Sequence, residues 1–319
     1  MEMNFIPKPG FENPFAPVVT HQKKERLTPK KEQFEKLSGL MGIISTEIND
    51  FLEKEYGMTG LVDDQCAIIM GRYLTKRGGI YNELTIGKHE NKIEAKENEW
   101  FRTWKYGVKE NFKEDKPLEK MKAERASSKN KLMEMAVTAI FHKFLGQEFI
   151  ILRTSTYDDY FGGRAKDGKY LGGSDNLIVH KVTGEVLCGI DECHEGGRGE
   201  TIEKKEKKMK KIAESGGVDV TYGMTIDDKK LKLTSLKNIP VFYISLMRDE
   251  LNELLEKMSY DNTKSKKTLP VEQKFFGKFI TSMISQKEEL DRLGKQGLSV
   301  GNLRPFEASF ERIREIAGM

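Results

Sequence analysis

Between Leu132 and Leu246 the spacing of apolar residues changes period in a fixed order, and that order leaves few folds open. Leu132, Met133, Ala136, Val137, Ile140, Phe141 and Phe144 recur at helical spacing and stop before Gly146. Glu148 to Thr154 is a short apolar run of strand length. Two further strand-like runs, Asp175 to Lys181 and Glu185 to Cys193, flank Val182-Thr183-Gly184. A charged helix from Glu200 to Glu214 follows, then a glycine-bounded excursion from Gly216 to Leu233. Ile239 to Leu246 reads as a buried strand with Pro240 near its start, where a missing N–H is tolerated. Helix, strand, strand, strand, helix, strand is an α/β order.

The flanking segments read differently. Residues 1–28 carry four of the nine prolines and the basic run Lys23-Lys24-Glu25-Arg26, the pattern of an extended or disordered tail. Thr28-Pro29 is a helix start, and Phe34, Leu37, Met41, Ile44, Ile48 and Phe51 form a core-facing stripe that Gly57 ends. A second helix is predicted from Asp63 to Lys76. These fall in a helical region spanning 29–116, whose last part from Glu90 is highly charged; Trp100, Phe101, Trp104 and Tyr106 are expected to dock it on the core, the alternative being a stacking platform for bases. The α/β core then covers 117–258. Within 259–319, Lys264-Ser265-Lys266-Lys267 reads as a linker ahead of helices from Val271 to Leu293 and from Pro305 to Ile316.

Charged residues make up 33% of the 319, yet the formal net charge is only +4, so basic character is local. Three cysteines, Cys66, Cys188 and Cys193, form no disulfide framework, and Met1 to Val19 lacks an apolar leader; a reduced cytoplasmic setting is expected. No apolar run reaches the roughly 18 residues of a membrane span.

Hairpin register decides which carboxylates meet. A three-residue loop, Val182-Thr183-Gly184, pairs Lys181 with Glu185 and sets Asp175 opposite Asp191. Opposed like charges are destabilising unless neutralised, and a divalent cation would neutralise them. A two-residue loop would instead oppose Asp175 to Glu192 and bring in His194. Gly172-Gly173 would let backbone or ligand approach Asp175 closely. Tyr157-Asp158-Asp159 has turn-forming aspartates, of which Asp159 is a candidate ligand. Cys188, Cys193 and His194 lack paired zinc spacing. The lysine-rich run from Thr201 to Lys211 is a solvated helix face with a local positive surplus suited to phosphates.

The strand order, with Glu134 on the preceding helix, Asp175 at the second strand and Asp191 on the third, resembles the PD-(D/E)XK nuclease superfamily. Tyr157-Asp158-Asp159, Gly172-Gly173-Ser174-Asp175, Ile190-Asp191 and Lys204 to Lys211 resemble a bacterial branch of it. The resemblance covers residues from about 120 to 255 and implies an αβββαβ core with a mixed central sheet. It implies Mg²⁺ or Mn²⁺ held by Asp175 and Asp191, with Glu134 completing the shell and Asp159 a further ligand. It also implies a lysine two positions after Asp191, where this chain has Cys193. Three explanations stay open: a catalytic lysine moved to the next helix (Lys204, Lys205 or Lys208), charge neutralised by the metal alone, or catalysis lost.

The function expected is phosphodiester hydrolysis on nucleic acid, DNA ahead of RNA, with Arg198, Lys207, Lys208 and Lys211 at the backbone. The alternative is a non-catalytic nucleic-acid-binding or assembly protein on a degenerate nuclease scaffold. A homodimer formed through the terminal helices is the candidate assembly.

Overall fold

A computed structural model describes residues 29–107, 128–162, 173–195, 202–260 and 268–295, with separate positions 303, 307–309, 311–313 and 315. The expected tail at 1–28, the linker at 264–267 and the Gly196 to Gly199 segment lie outside the described residues. So do most of the helix expected from Pro305 and the side chains of Trp100, Phe101, Trp104 and Tyr106.

Helix α1 (Pro29–Tyr56) buries Leu37, Leu40, Met41, Ile44, Ile48 and Leu52 on the predicted stripe. Gly57 ends it in the left-handed conformation, φ 66°, and donates its N–H to Glu53 O at 2.9 Å, as a helix-terminating glycine does. The helix predicted from Asp63 to Lys76 does not form. Asp63 Oδ1 accepts the N–H groups of Gln65 (2.9 Å) and Ala67 (2.8 Å), and Cys66 sits at φ 61°, which no helix accommodates. Ala67 bridges in parallel to Arg153, and two short 3₁₀ turns follow, Met70–Tyr73 and Thr75–Arg77. The charged stretch from Glu90 is helical as far as residue 107, as part of α2 (Glu83–Gly107).

Helix α3 (Lys129–Leu145) leads into β1 (Phe149–Arg153), a short α4 (Thr156–Phe161), β2 (Asn176–His180) and β3 (Val186–Glu195). Then come α5 (Ile202–Glu214), β4 (Val218–Asp227), β5 (Lys230–Ile239), β6 (Val241–Met247), α6 (Arg248–Lys257) and α7 (Pro270–Lys295). The main sheet has order β1-β2-β3-β6, antiparallel except for the parallel β3/β6 pair, so it is mixed. A parallel pair needs a long crossover, and α5 with the following residues provides it. Glycine at 216 and 217 suggested an irregular excursion, but Val218, Val220, Tyr222 and Met224 alternate inward and the segment is one strand of a β4/β5 hairpin.

One continuous hydrophobic cluster runs from α1 through α3 and the sheet to α7. Half-buried Lys143 on α3 pairs with buried Glu272 on α7 at 2.6 Å. The β4/β5 hairpin is held from the other direction. Asp158, 1% exposed, accepts the backbone N–H groups of Thr221 (2.7 Å) and Tyr222 (2.9 Å) and the Ser155 hydroxyl (2.9 Å). The turn-forming aspartate of the sequence reading is thus a buried latch. Tyr73 and Tyr81 donate hydroxyls to Gly223 O (2.8 Å) and Thr221 O (3.1 Å), and His89 stacks on Tyr157 at 3.9 Å.

Asp158→Ala removes the acceptor of two buried backbone donors, and each such orphan costs about 1–3 kcal/mol. Urea melts of the variant are expected to show a loss of about 3 kcal/mol, whereas an equal change at exposed Asp50 of α1 is expected to cost almost nothing.

Candidate functional site

The β2/β3 register reaches the expected opposition by another route. His180 N donates to Glu185 O, so the turn holds four residues, 181–184, one more than predicted. Val179 then pairs with Val186 but Ile178 with Cys188, leaving Leu187 as one extra residue in β3. This bulge restores the register, Asn176 pairs with Ile190, and the next positions outward are Asp175 and Asp191. Asp175 N donates to Ile190 O at 2.8 Å, and Glu192 N returns a bond to Asp175 Oδ2 at 2.8 Å.

Successive β3 residues face opposite sides. Asp191, 5% exposed, meets Lys208 Nζ of α5 at 2.7 Å. Glu192 lies on the α3 side, where Asn176 Nδ2 donates to its Oε1 at 2.6 Å and the Thr138 hydroxyl contacts Asn176 Oδ1 at 2.8 Å. Glu134 is on that side too, its Oε2 taken by Arg153 Nη2 (2.5 Å) and Lys131 Nζ (2.7 Å). Gly173 lets α4 come close: a Cβ there would stand 1.9 Å from Asp158 O, so at this glycine the approaching group is backbone. Asp159, on the same helix, adds its charge to the field at Asp175.

That field is strongly negative. Burial first, then the carboxylates of Glu134, Asp191 and Asp159, push the Asp175 carboxyl up to about 8, against a smaller downward pull from Glu192. Burial and the neighbouring Asp175 charge raise Glu192 well above the usual carboxylate range. The two carboxyls lie within hydrogen-bonding reach, so a proton held by either one bridges them. Among the described residues no three His, Cys, Asp or Glu side chains are grouped as a metal site. The carboxyls left without a cationic partner are Asp175 and Glu192, since Glu134 is taken by Arg153 and Lys131 and Asp191 by Lys208. An all-oxygen donor set suits Mg²⁺ or Mn²⁺ better than zinc.

Among the described side chains of the lysines expected near the acids, Lys208 is the one whose ammonium reaches them; it also lies 5.8 Å from the Tyr243 ring centre. Lys204, Lys207 and Lys211 are exposed while Met209, Ile212 and Ala213 face the core. Arg198 and the side chains of Lys205, Cys193 and His194 lie outside the described residues. His142 is a packing histidine, 3.2 Å from Glu47. A cavity of about 370 Å³ opens at the other end of the sheet, by Phe149, His180, Leu187 and Arg312, and no predicted site residue lines it.

Pattern reading passed over Arg153, although an arginine closing the apolar run Phe149-Ile150-Ile151-Leu152 was a usable signal. Asn176 and Thr138 carried none, because their role depends on tertiary contact with Glu192.

Asp175 titrates at about 8 in the fold and near 3.9 in an unfolded chain. The folded state therefore retains a proton that the unfolded chain releases, so this contribution is complete below about pH 4 and is lost as pH rises towards 8. In EDTA the melting temperature of the wild type is expected to fall between about pH 5 and pH 8.5, and Asp175→Asn is expected to flatten that dependence.

Comparison of the chain with family models, with curated proteins and with solved structures gave no match.

Proposed function

We propose that the chain is a metal-dependent hydrolase of phosphodiester bonds, a nuclease built on a PD-(D/E)XK-like αβββαβ core and acting on DNA ahead of RNA. The observation that carries this reading is the meeting of Glu134, Asp175, Asp191 and Lys208, from four separate elements, at one end of the mixed sheet. A bound Mg²⁺ or Mn²⁺ supplies an activated water and a clamp on phosphoryl oxygens.

The chain's own residues do the rest. Asp175 and the carboxylates around it hold negative charge where a cation relieves it, with Asp159 contributing from α4. Lys208 presents an ammonium beside them and takes the role that the resemblance gives to the lysine absent at Cys193, stabilising charge on the phosphate. Exposed Lys204, Lys207 and Lys211 extend that positive face along α5 towards the phosphate backbone.

One observation favours the second reading, a nucleic-acid-binding scaffold without catalysis. Asp191 is compensated by Lys208, and Glu134 by Arg153 and Lys131, so part of the acidic charge is neutralised within the protein. Cleavage of labelled linear DNA, supercoiled DNA and single-stranded RNA in Mg²⁺, Mn²⁺ or EDTA separates the two. The hydrolase reading expects metal-dependent cleavage that falls at least about 100-fold in Lys208→Ala and disappears in Asp175→Ala. Salt-sensitive binding without cleavage would establish the scaffold instead.

A further inference from the structure

We propose that His89 is a pH-sensitive clasp, holding α2 on the β4/β5 hairpin while its imidazole is neutral and releasing the helix when that ring takes up a second proton.

Little else fastens α2. Among its described side chains Ile86 is the buried one, with Ile93 packed in part against the core and Glu97 accepting the Tyr160 hydroxyl of α4 at 3.2 Å. A helix with so few buried apolar contacts belongs to the part of a fold that opens at low cost. His89 supplies the link to the hairpin. Its ring stacks on Tyr157 of α4 at 3.9 Å, and its Nδ1 lies 2.7 Å from the hydroxyl of Tyr222 on β4.

Tyr222 fixes the protonation state in which that link is sound. The residue is fully buried, and burial, then the Asp158 charge, raise its phenol further above neutral, so the hydroxyl donates and Nδ1 accepts. Among the described residues the hydroxyl has no other hydrogen-bond partner. An imidazolium carries an N–H on both nitrogens and accepts nothing. Protonation at Nδ1 therefore leaves the Tyr222 O–H buried without an acceptor, a penalty that the helix escapes by lifting off.

The charged and titratable groups around the ring are Lys92 and Glu90 of α2, Tyr157 and Asp158 of α4, Tyr81 ahead of α2, and Tyr222. Stacking on Tyr157 would favour an imidazolium, but Lys92 already places its ammonium 5.9 Å from that ring centre and repels a second cation there. The two carboxylates do not offset this, since Glu90 is exposed and Asp158 gives its oxygens to Thr221, Tyr222 and Ser155. Partial burial, then Lys92, hold His89 below the ordinary imidazole range. The docked helix thus resists a proton that the released helix accepts, so docking is complete above about pH 6.5 and weakens as pH falls below it.

Hydrogen exchange of the full chain, read by mass spectrometry and corrected for the pH dependence of intrinsic exchange, tests the clasp. Between about pH 7.5 and pH 5.5 the amides of α2 are expected to lose at least about tenfold in protection, while those of core-packed α3 keep theirs. His89→Gln is expected to abolish the change, because its side-chain oxygen accepts from Tyr222 at either pH. Tyr222→Phe, which leaves no hydroxyl to be orphaned, is expected to be equally insensitive. A wild-type α2 that exchanges alike at both pH values, an α3 that loosens with it, or either variant keeping the fall overturns the proposal.

Discussion

A single extra residue in β3 determines which side of the sheet the β3 carboxylates of the candidate site, Asp191 and Glu192, occupy. The side-chain period of a strand is two, so a slip of one residue exchanges the faces. Leu187 is that residue: the pairing of Val179 with Val186 gives way to Ile178 with Cys188 across it. Its backbone carbonyl accepts the Ser309 hydroxyl, so the irregular rung is tied to the C-terminal segment. Without the bulge the ladder would carry Ile190, not Asp191, opposite Asp175, and Asp191 would leave the α5 side where Lys208 awaits it.

The same end of the sheet shows how a protein manages a surplus of negative charge. Glu134 and Asp191 each have a cation within ion-pair distance, and both pairs are largely shielded from water. Asp175 is relieved differently, by holding its proton to about 8 and by accepting the Glu192 N–H. Glu192 is relieved by the Asn176 amide and by its contact with the Asp175 carboxyl. The electrostatic cost is thus concentrated at the Asp175/Glu192 contact and not spread evenly, which is the distribution expected where function and stability pull apart.

Much of this arrangement was legible in the chain because it is local. The α3 stripe, the β1 run and the β2/β3 alternation are repeated patterns, and Asp175 could be set near Asp191 by counting back from the turn. The counting reached the right place by a wrong path, since the longer turn and the bulge offset one another. Elsewhere side chains overrode pattern. Asp63 satisfies two backbone donors and cancels a helix that Ile69, Met70, Tyr73 and Leu74 had suggested. Gly223 sits against Leu236, with a Cβ position 2.4 Å from its Cδ1, so it belongs inside a strand, not at a break. The burial of Asp158 depends on Thr221 and Tyr222, far along the chain, and no window of sequence contains that information.

The aromatic contacts that hold the β4/β5 hairpin have a consequence for the order of assembly. Tyr73 reaches Gly223 across 150 residues of chain, and His89 reaches the Tyr222 hydroxyl across 133. The contacts of the acidic end are short by comparison: 38 residues from Thr138 to Asn176, 19 from Glu134 to Arg153, 17 from Asp191 to Lys208 and 16 from Asn176 to Glu192. Closing a long loop costs entropy before its contacts return any stabilisation. The acidic end therefore closes at a lower entropic cost than the docking of the tyrosine-lined hairpin.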